Sequence, residues 1–154
     1  MPDSKKASVL FICTHNSARS QMAEGLLRDR YGDRYDVFSA GTERTHVRPL
    51  AIRAMADLEI DLSDHHSKTV EDLGDRAFDV VVTVCDNARE ACPYVPARQQ
   101  NLHRSFDDPS AAEGSEAERL AVFRRVRDEI GDWIQATFGP DSHSAAPAFG
   151  NAQA

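Results

Sequence analysis

The stretch Val9-Leu10-Phe11-Ile12-Cys13-Thr14-His15-Asn16-Ser17-Ala18-Arg19-Ser20 contains the residue types that hold and attack an oxyanion. It reads as a short apolar strand, a polar loop opening with Cys13 and closing with Arg19, and then a helix. A strand end keeps the thiol in a fixed place. Loop amides and the following helix N-terminus aim positive partial charge at one spot. The guanidinium of Arg19 adds a planar fork that matches a tetrahedral oxyanion. The same field favours the thiolate, which is the attacking form. A cysteine that ends a buried strand is often only a small hydrophobe. The C-x5-R spacing and the polar residues inside it argue for chemistry instead.

Two further cysteines need a reading. Cys85 follows the apolar run Phe78–Val84, and Cys92 stands just before Pro93. Both could simply pack. A zinc site completed by His65 or His103 is a second reading, although C-x6-C is not a usual zinc spacing. A thiol relay is the third. If residues 85–92 were one regular helix, the two Cα atoms would lie about 10 Å apart. A disulfide needs roughly 7 Å or less. A bond between them therefore predicts that residues 86–98 are ordered in the reduced form and rearranged in the oxidised one.

The elements that position these residues follow from patterning. Ala7 to Ile12 is apolar throughout, as a strand covered on both faces should be. Arg19 to Arg30 is a helix with Met22, Ala23, Leu26 and Leu27 on one face, and Gly32 stops it. Val37 to Ala40 is a second strand ended by Gly41. Pro49 to Leu58 is a helix with Pro in its first turn. His65 to Ser67 is a short strand and Thr69 to Leu73 a short helix. Phe78 to Val84 is the clearest strand. Residues 86–91 have helical composition, interrupted by Pro93 and Pro96. Gln99 to His103 is an edge strand. Ser115-Glu116-Ala117-Glu118 is a capping box, and Phe123, Val126, Ile130, Trp133 and Ile134 then recur at helical spacing. Alternating strands and helices predict an α/β single domain: a four-stranded parallel sheet with helices on both faces. Ligands of such sheets sit beyond the C-terminal strand ends, where Cys13 and Cys85 both fall.

Bulk properties set the limits. At 154 residues the chain is expected to form one catalytic domain over 1–138, with residues 1–6 loose and 139–154 a disordered tail. The net charge of −7 argues against nucleic acid or an anionic membrane as partner. No apolar run reaches membrane-spanning length, and no secretory leader is apparent. Three cysteines without export point to a reducing cytoplasm and to thiol chemistry. A monomer is expected.

Cys13-x5-Arg19-Ser20-Gln21-Met22-Ala23-Glu24, Ser39-Ala40-Gly41, Val82-Thr83-Val84-Cys85-x6-Cys92-Pro93 and Phe106-Asp107-Asp108-Pro109 together resemble the thioredoxin-coupled arsenate reductases. That family uses the low-molecular-weight tyrosine phosphatase fold, and the resemblance covers roughly residues 7–138. It implies that the loop Thr14, His15, Asn16, Ser17, Ala18, Arg19 and Ser20 binds arsenate. Cys13 would attack arsenic, with Asp108 as general acid for the leaving water. Cys85 would then attack the Cys13 sulfur, and Cys92 would take over the disulfide for thioredoxin to reduce. Ser20 would hydrogen-bond the Cys13 thiolate, and Asn16 would fix the loop's shape. No bound cofactor or metal is required, because sulfur carries both electrons.

Departures from the family pattern are informative. Better-known members have another Cys where this chain has Ala18. Some members bind potassium through residues matching Asn16, Glu24 and Ser39 plus a carboxylate, and this chain has Lys68 at the carboxylate position. An ammonium there would replace the cation. Three other functions compete. The first is a phosphatase of aryl or tyrosyl phosphates, against which Ser110-Ala111-Ala112 stand where such enzymes place aromatic residues. The second is a reductase coupled to mycothiol or glutathione, which would not need Cys85 or Cys92. The third is a non-catalytic anion sensor. His15 lies in the loop and either tunes Cys13 or faces water. His65 reads as structural, and the remaining histidines as surface.

Overall fold

The computed structural model describes residues 6–43, 45–74, 76–84 and 95–139. Cys85, Cys92, the stretch 86–91 read as helical in composition, most of the 86–98 segment, residues 1–5 of the N-terminus and residues 140–154 of the tail lie outside the described residues.

Four parallel strands form one sheet: β1 (Ala7–Ile12), β2 (Tyr35–Ala40), β3 (Phe78–Thr83) and β4 (Ala97–His103), in the order β2-β1-β3-β4. The central position of β1 explains its unbroken apolar sequence, since alternate residues must fill two different cores. Val9 and Phe11 join Val37, Val80, Val82 and Leu102 against helices α1 (Arg19–Tyr31), α2 (Pro49–Ala56) and α3 (Glu116–Phe138). Leu10 and Ile12 face the other way, with Phe78, Val81, Phe38 and Val95, under the 3-10 turn Val70–Leu73. Helical structure thus covers both faces, as expected. Each fully buried Leu, Ile or Phe of β1 contributes about 1.5–3 kcal/mol from burial.

The register aligns the strand ends. Ile12 lies beside Ala40 on one side and Thr83 on the other. Cys13, Gly41 and Val84 therefore emerge together at one edge, and Val84 N–H donates to Ile12 O at 2.9 Å. The C-terminal edge of the sheet is where the fold converges on Cys13.

The α3 capping box forms as predicted, with Ser115 Oγ accepting from Glu118 N–H and Glu118 accepting from Ser115 N–H. Phe123, Val126, Ile130 and Ile134 are buried, while Trp133 packs edge-on against Phe106 and Phe138. Several boundaries move. β2 starts at Tyr35 and β4 at Ala97, because parallel pairing extends both beyond their apolar cores. α2 ends at Ala56, and Glu59 turns the chain at φ 64°. His65 to Ser67 is not a strand. That segment spends its polar groups on the Cys13 loop, and the parallel bridge falls instead at Gly41 and Thr69. Thr69 then caps the 3-10 turn. No helix among the described residues is long and apolar enough to cross a membrane.

Candidate active site

The loop after β1 is held from outside by its carbonyls. Thr14 O accepts from Thr42 N–H and Glu43 N–H at 2.8 and 3.1 Å. His15 O accepts from the hydroxyls of Thr45 and Ser67 at 3.1 and 3.0 Å. Asn16 O accepts from Gln21 Nε2, and Ser17 O accepts from Arg48 N–H at 2.9 Å. In a trans peptide the carbonyl and the next amide point in opposite directions. Outward carbonyls at 14–17 therefore turn the amides of residues 15–18 inward. Those amides are joined by the first turn of α1, whose N-cap Ala18 offers no side-chain cap and whose first turn has no acidic residue. The result is a cradle of unspent donors, the backbone form of an anion site.

Gly41 makes the close packing feasible. A Cβ there would lie 2.5 Å from Thr14 O and 2.6 Å from Cys13 O, so any side chain would push the loop off the end of β2.

Asn16 bends the loop in the left-handed region at φ 49°. Its side chain is fully buried and every bond it makes can be given a direction. Lys68 N–H can only donate, so its partner at 2.7 Å is Asn16 Oδ1. Asn16 Nδ2 then donates to Ser20 Oγ at 2.8 Å and to Ser39 Oγ at 2.9 Å. Ser39, having accepted, passes its own hydrogen to Glu24. Ser20 Oγ lies 2.9 Å from Cys13 Sγ, so its hydroxyl is placed to donate to the sulfur when it is a thiolate. Gln21 Nε2 donates to Asn16 Oδ1 and to His66 O, which leaves Gln21 Oε1 to accept from His65 Nδ1 at 2.9 Å. His65 thus carries its proton on Nδ1. Burial pushes its affinity for a second proton below the ordinary imidazole value, against the pull of Glu24.

At the mouth, the Arg19 side chain is 2% exposed, donates to Phe106 O at 3.4 Å and lies 3.7 Å from Asp108 Oδ2. Asp108 is partly exposed, and its Oδ1 accepts from Ser110 N–H and Oγ. Arg19 and Asp108 are therefore brought together at the end of the loop that Cys13 opens. His15 points away and pairs with Glu43 at 3.3 Å, so its place in the cradle is through its backbone. Thr14 Oγ1 is buried without a hydrogen-bond partner among the described residues.

The residues matching a potassium site do not fit the ion. Asn16 Oδ1 is committed to two N–H donors and Ser39 directs its hydrogen at Glu24. Arg28 already pairs with Glu24, and Lys68 Nζ stands 3.9 Å from Glu24 Oε1. Burial lowers the proton affinity of Lys68, opposed by Glu24.

Sequence reasoning located Cys13, Arg19, Asn16, Ser20 and Asp108. Gln21, Thr45 and Ser67 were not assigned to the site. Gln21 and Glu24 did carry a signal: polar residues three apart in the part of α1 that the fold buries on every side. Cys85 and Cys92 lie outside the described residues.

Residues 8–139 match the low molecular weight phosphotyrosine protein phosphatase family, and the chain belongs to that family. Within it, the similarity extends to reductases. An arsenate reductase of Halalkalibacterium halodurans is 47% identical over 130 residues, spanning 84% of this chain and 94% of that protein. A structure of an arsenate reductase in the phosphate binding state superposes with TM-score 0.69 at 30% identity, over 84% of this chain and 94% of the other. The thioredoxin-dependent arsenate reductase of Corynebacterium glutamicum superposes with TM-score 0.63 at 27% identity, over 86% of this chain and 62% of that one.

Proposed function

We propose that this chain reduces arsenate to arsenite and passes the resulting disulfide to thioredoxin. The observation that carries the reading is the cradle of inward amides that follows Cys13, with Ser20 Oγ 2.9 Å from the sulfur and Arg19 paired with Asp108. Arsenate is a tetrahedral oxyanion and suits that cradle. Cys13 thiolate attacks arsenic, an As–O bond breaks, and Asp108 supplies the proton for the departing water. Cys85 thiolate attacks the Cys13 sulfur. The S–As bond breaks and its electron pair stays on arsenic, which leaves as arsenite. Cys92 attacks Cys85, frees Cys13 and leaves a Cys85–Cys92 disulfide for thioredoxin to reduce by exchange. The choice of arsenate over a phosphoester is supported by the names of the relatives and by the presence of the second and third cysteines. A reducing cytoplasm is the compartment such thiols require.

The test is arsenate-dependent NADPH consumption with thioredoxin and thioredoxin reductase, comparing wild type with Cys92→Ser. Turnover that collapses in the variant is expected. Turnover that survives would reassign the chain to a reductase coupled to a small thiol. Aryl phosphate hydrolysis without arsenate turnover would make it a phosphatase, the second reading that the family match favours.

A further inference from the structure

Beside the cradle the fold leaves a second cavity of about 270 Å³. Pro49, Leu50 and Phe123 give it an apolar wall, and Arg48 and Arg119 enter it with two positive charges. Both arginines are half-buried. Arg48 Nε is fully buried, and neither guanidinium has a hydrogen-bond or ion-pair partner among the described residues. The one carboxylate in the wall, Glu116, is engaged by Arg53. The N-terminal end of α2, which has no acidic residue in its first turn, borders the cavity and adds to the positive field, whereas α3 brings Glu116 and Glu118 in its first turn. Two half-buried, unpaired cations lining one cavity make it a place that an anion would neutralise.

The cavity shares two walls with the candidate active site. Arg48 N–H holds Ser17 O of the loop, and Ser110 donates to Asp108. A ligand seated on the loop and extending past Asp108 therefore runs into it.

We infer that this cavity is a subsite for a carboxylate carried on the organic part of an oxyanion ligand. The chain would then accept organic phosphonates or phosphomonoesters with a second acidic end, as well as a bare oxyanion. The inference rests on reading the Cys13 loop as an oxyanion site. The leaving-group side of the site is thereby selective by charge, with Arg119 and Arg48 as its determinants.

Titration calorimetry on the full reduced chain tests it with four probes: inorganic phosphate, benzylphosphonate, para-carboxybenzylphosphonate and para-(aminomethyl)benzylphosphonate. The carboxylated probe is expected to bind about tenfold or more tightly than the aminomethyl one. Arg119→Glu should erase or reverse that ratio, and Arg119→Gln and Arg48→Gln should reduce it. Equal affinity of the two probes in wild type, or a ratio that survives in the Arg119 variants, overturns the subsite. Failure of every probe, phosphate included, overturns the oxyanion reading and the subsite with it. Phosphate binding without any phosphonate binding overturns the subsite alone.

Discussion

Replacing Asn16 should cost more than any other single change in the loop, and the cost can be built from its contacts. The side chain makes hydrogen bonds to Ser20, Ser39, Gln21 and Lys68. At about 1 kcal/mol each, Asn16→Gly should lose roughly 4 kcal/mol of unfolding free energy while keeping the left-handed backbone. Asn16→Ala should lose a further ~1 kcal/mol or more, because a non-glycine residue without a short polar side chain resists φ 49°. Asn16→Asp keeps the shape and reverses the polarity: an oxygen replaces Nδ2, so Ser20 and Ser39 lose their donor. That variant also buries a carboxylate one hydroxyl away from Glu24, so it should lose at least as much stability as Asn16→Gly, and its negative charge should weaken phosphate binding. Urea unfolding and phosphate titration on the three variants measure both effects. A loss below about 1 kcal/mol in Asn16→Ala would refute the argument, because it would mean that the four bonds are exchanged for water without penalty.

Stability should fall in mild acid partly through His65. Its folded-state proton affinity is lowered by burial, so its contribution is complete above the unfolded value of about 6.5 and is lost as pH falls below it. The drop in unfolding free energy between about pH 7 and pH 5 should shrink in His65→Gln, and superimposable profiles would show that His65 is not its source. Arsenate turnover should be the same in potassium and sodium at equal ionic strength, because Lys68 and Arg28 already serve Glu24. A several-fold gain in potassium would contradict that assignment.

Much of this was legible from local pattern. β1, the start of α1 and the capping box of α3 depend on near neighbours, and their sequence signals are strong. The nucleophile and Arg19 were legible because the loop is a contiguous motif. Asp108, far away in sequence, was found only through the resemblance to a family. The clamps were not found. Ser67 reaches His15 across 52 positions and Thr45 reaches it across 30, and neither residue type announces a distant carbonyl as its partner. The failed strand at His65–Ser67 has the same origin. Such a short segment reads as a strand until its hydrogen bonds are known to go to side chains and to a loop.

The outward-facing carbonyls have a consequence for how the site comes apart. Apart from the bonds of Asn16 to Ser20 and Gln21, the cradle borrows its shape from distant residues: Thr42, Glu43, Thr45 and Arg48 on one side and Ser67 and Lys68 on the other. Such a loop belongs to the same cooperative unit as the β-sheet and opens when that unit opens, not before it. The nucleophile is present as soon as the first 13 residues have been made, but the receptor for its substrate is not. A fragment ending short of Lys68 would contain Cys13 and Arg19 and still have no place to hold an anion.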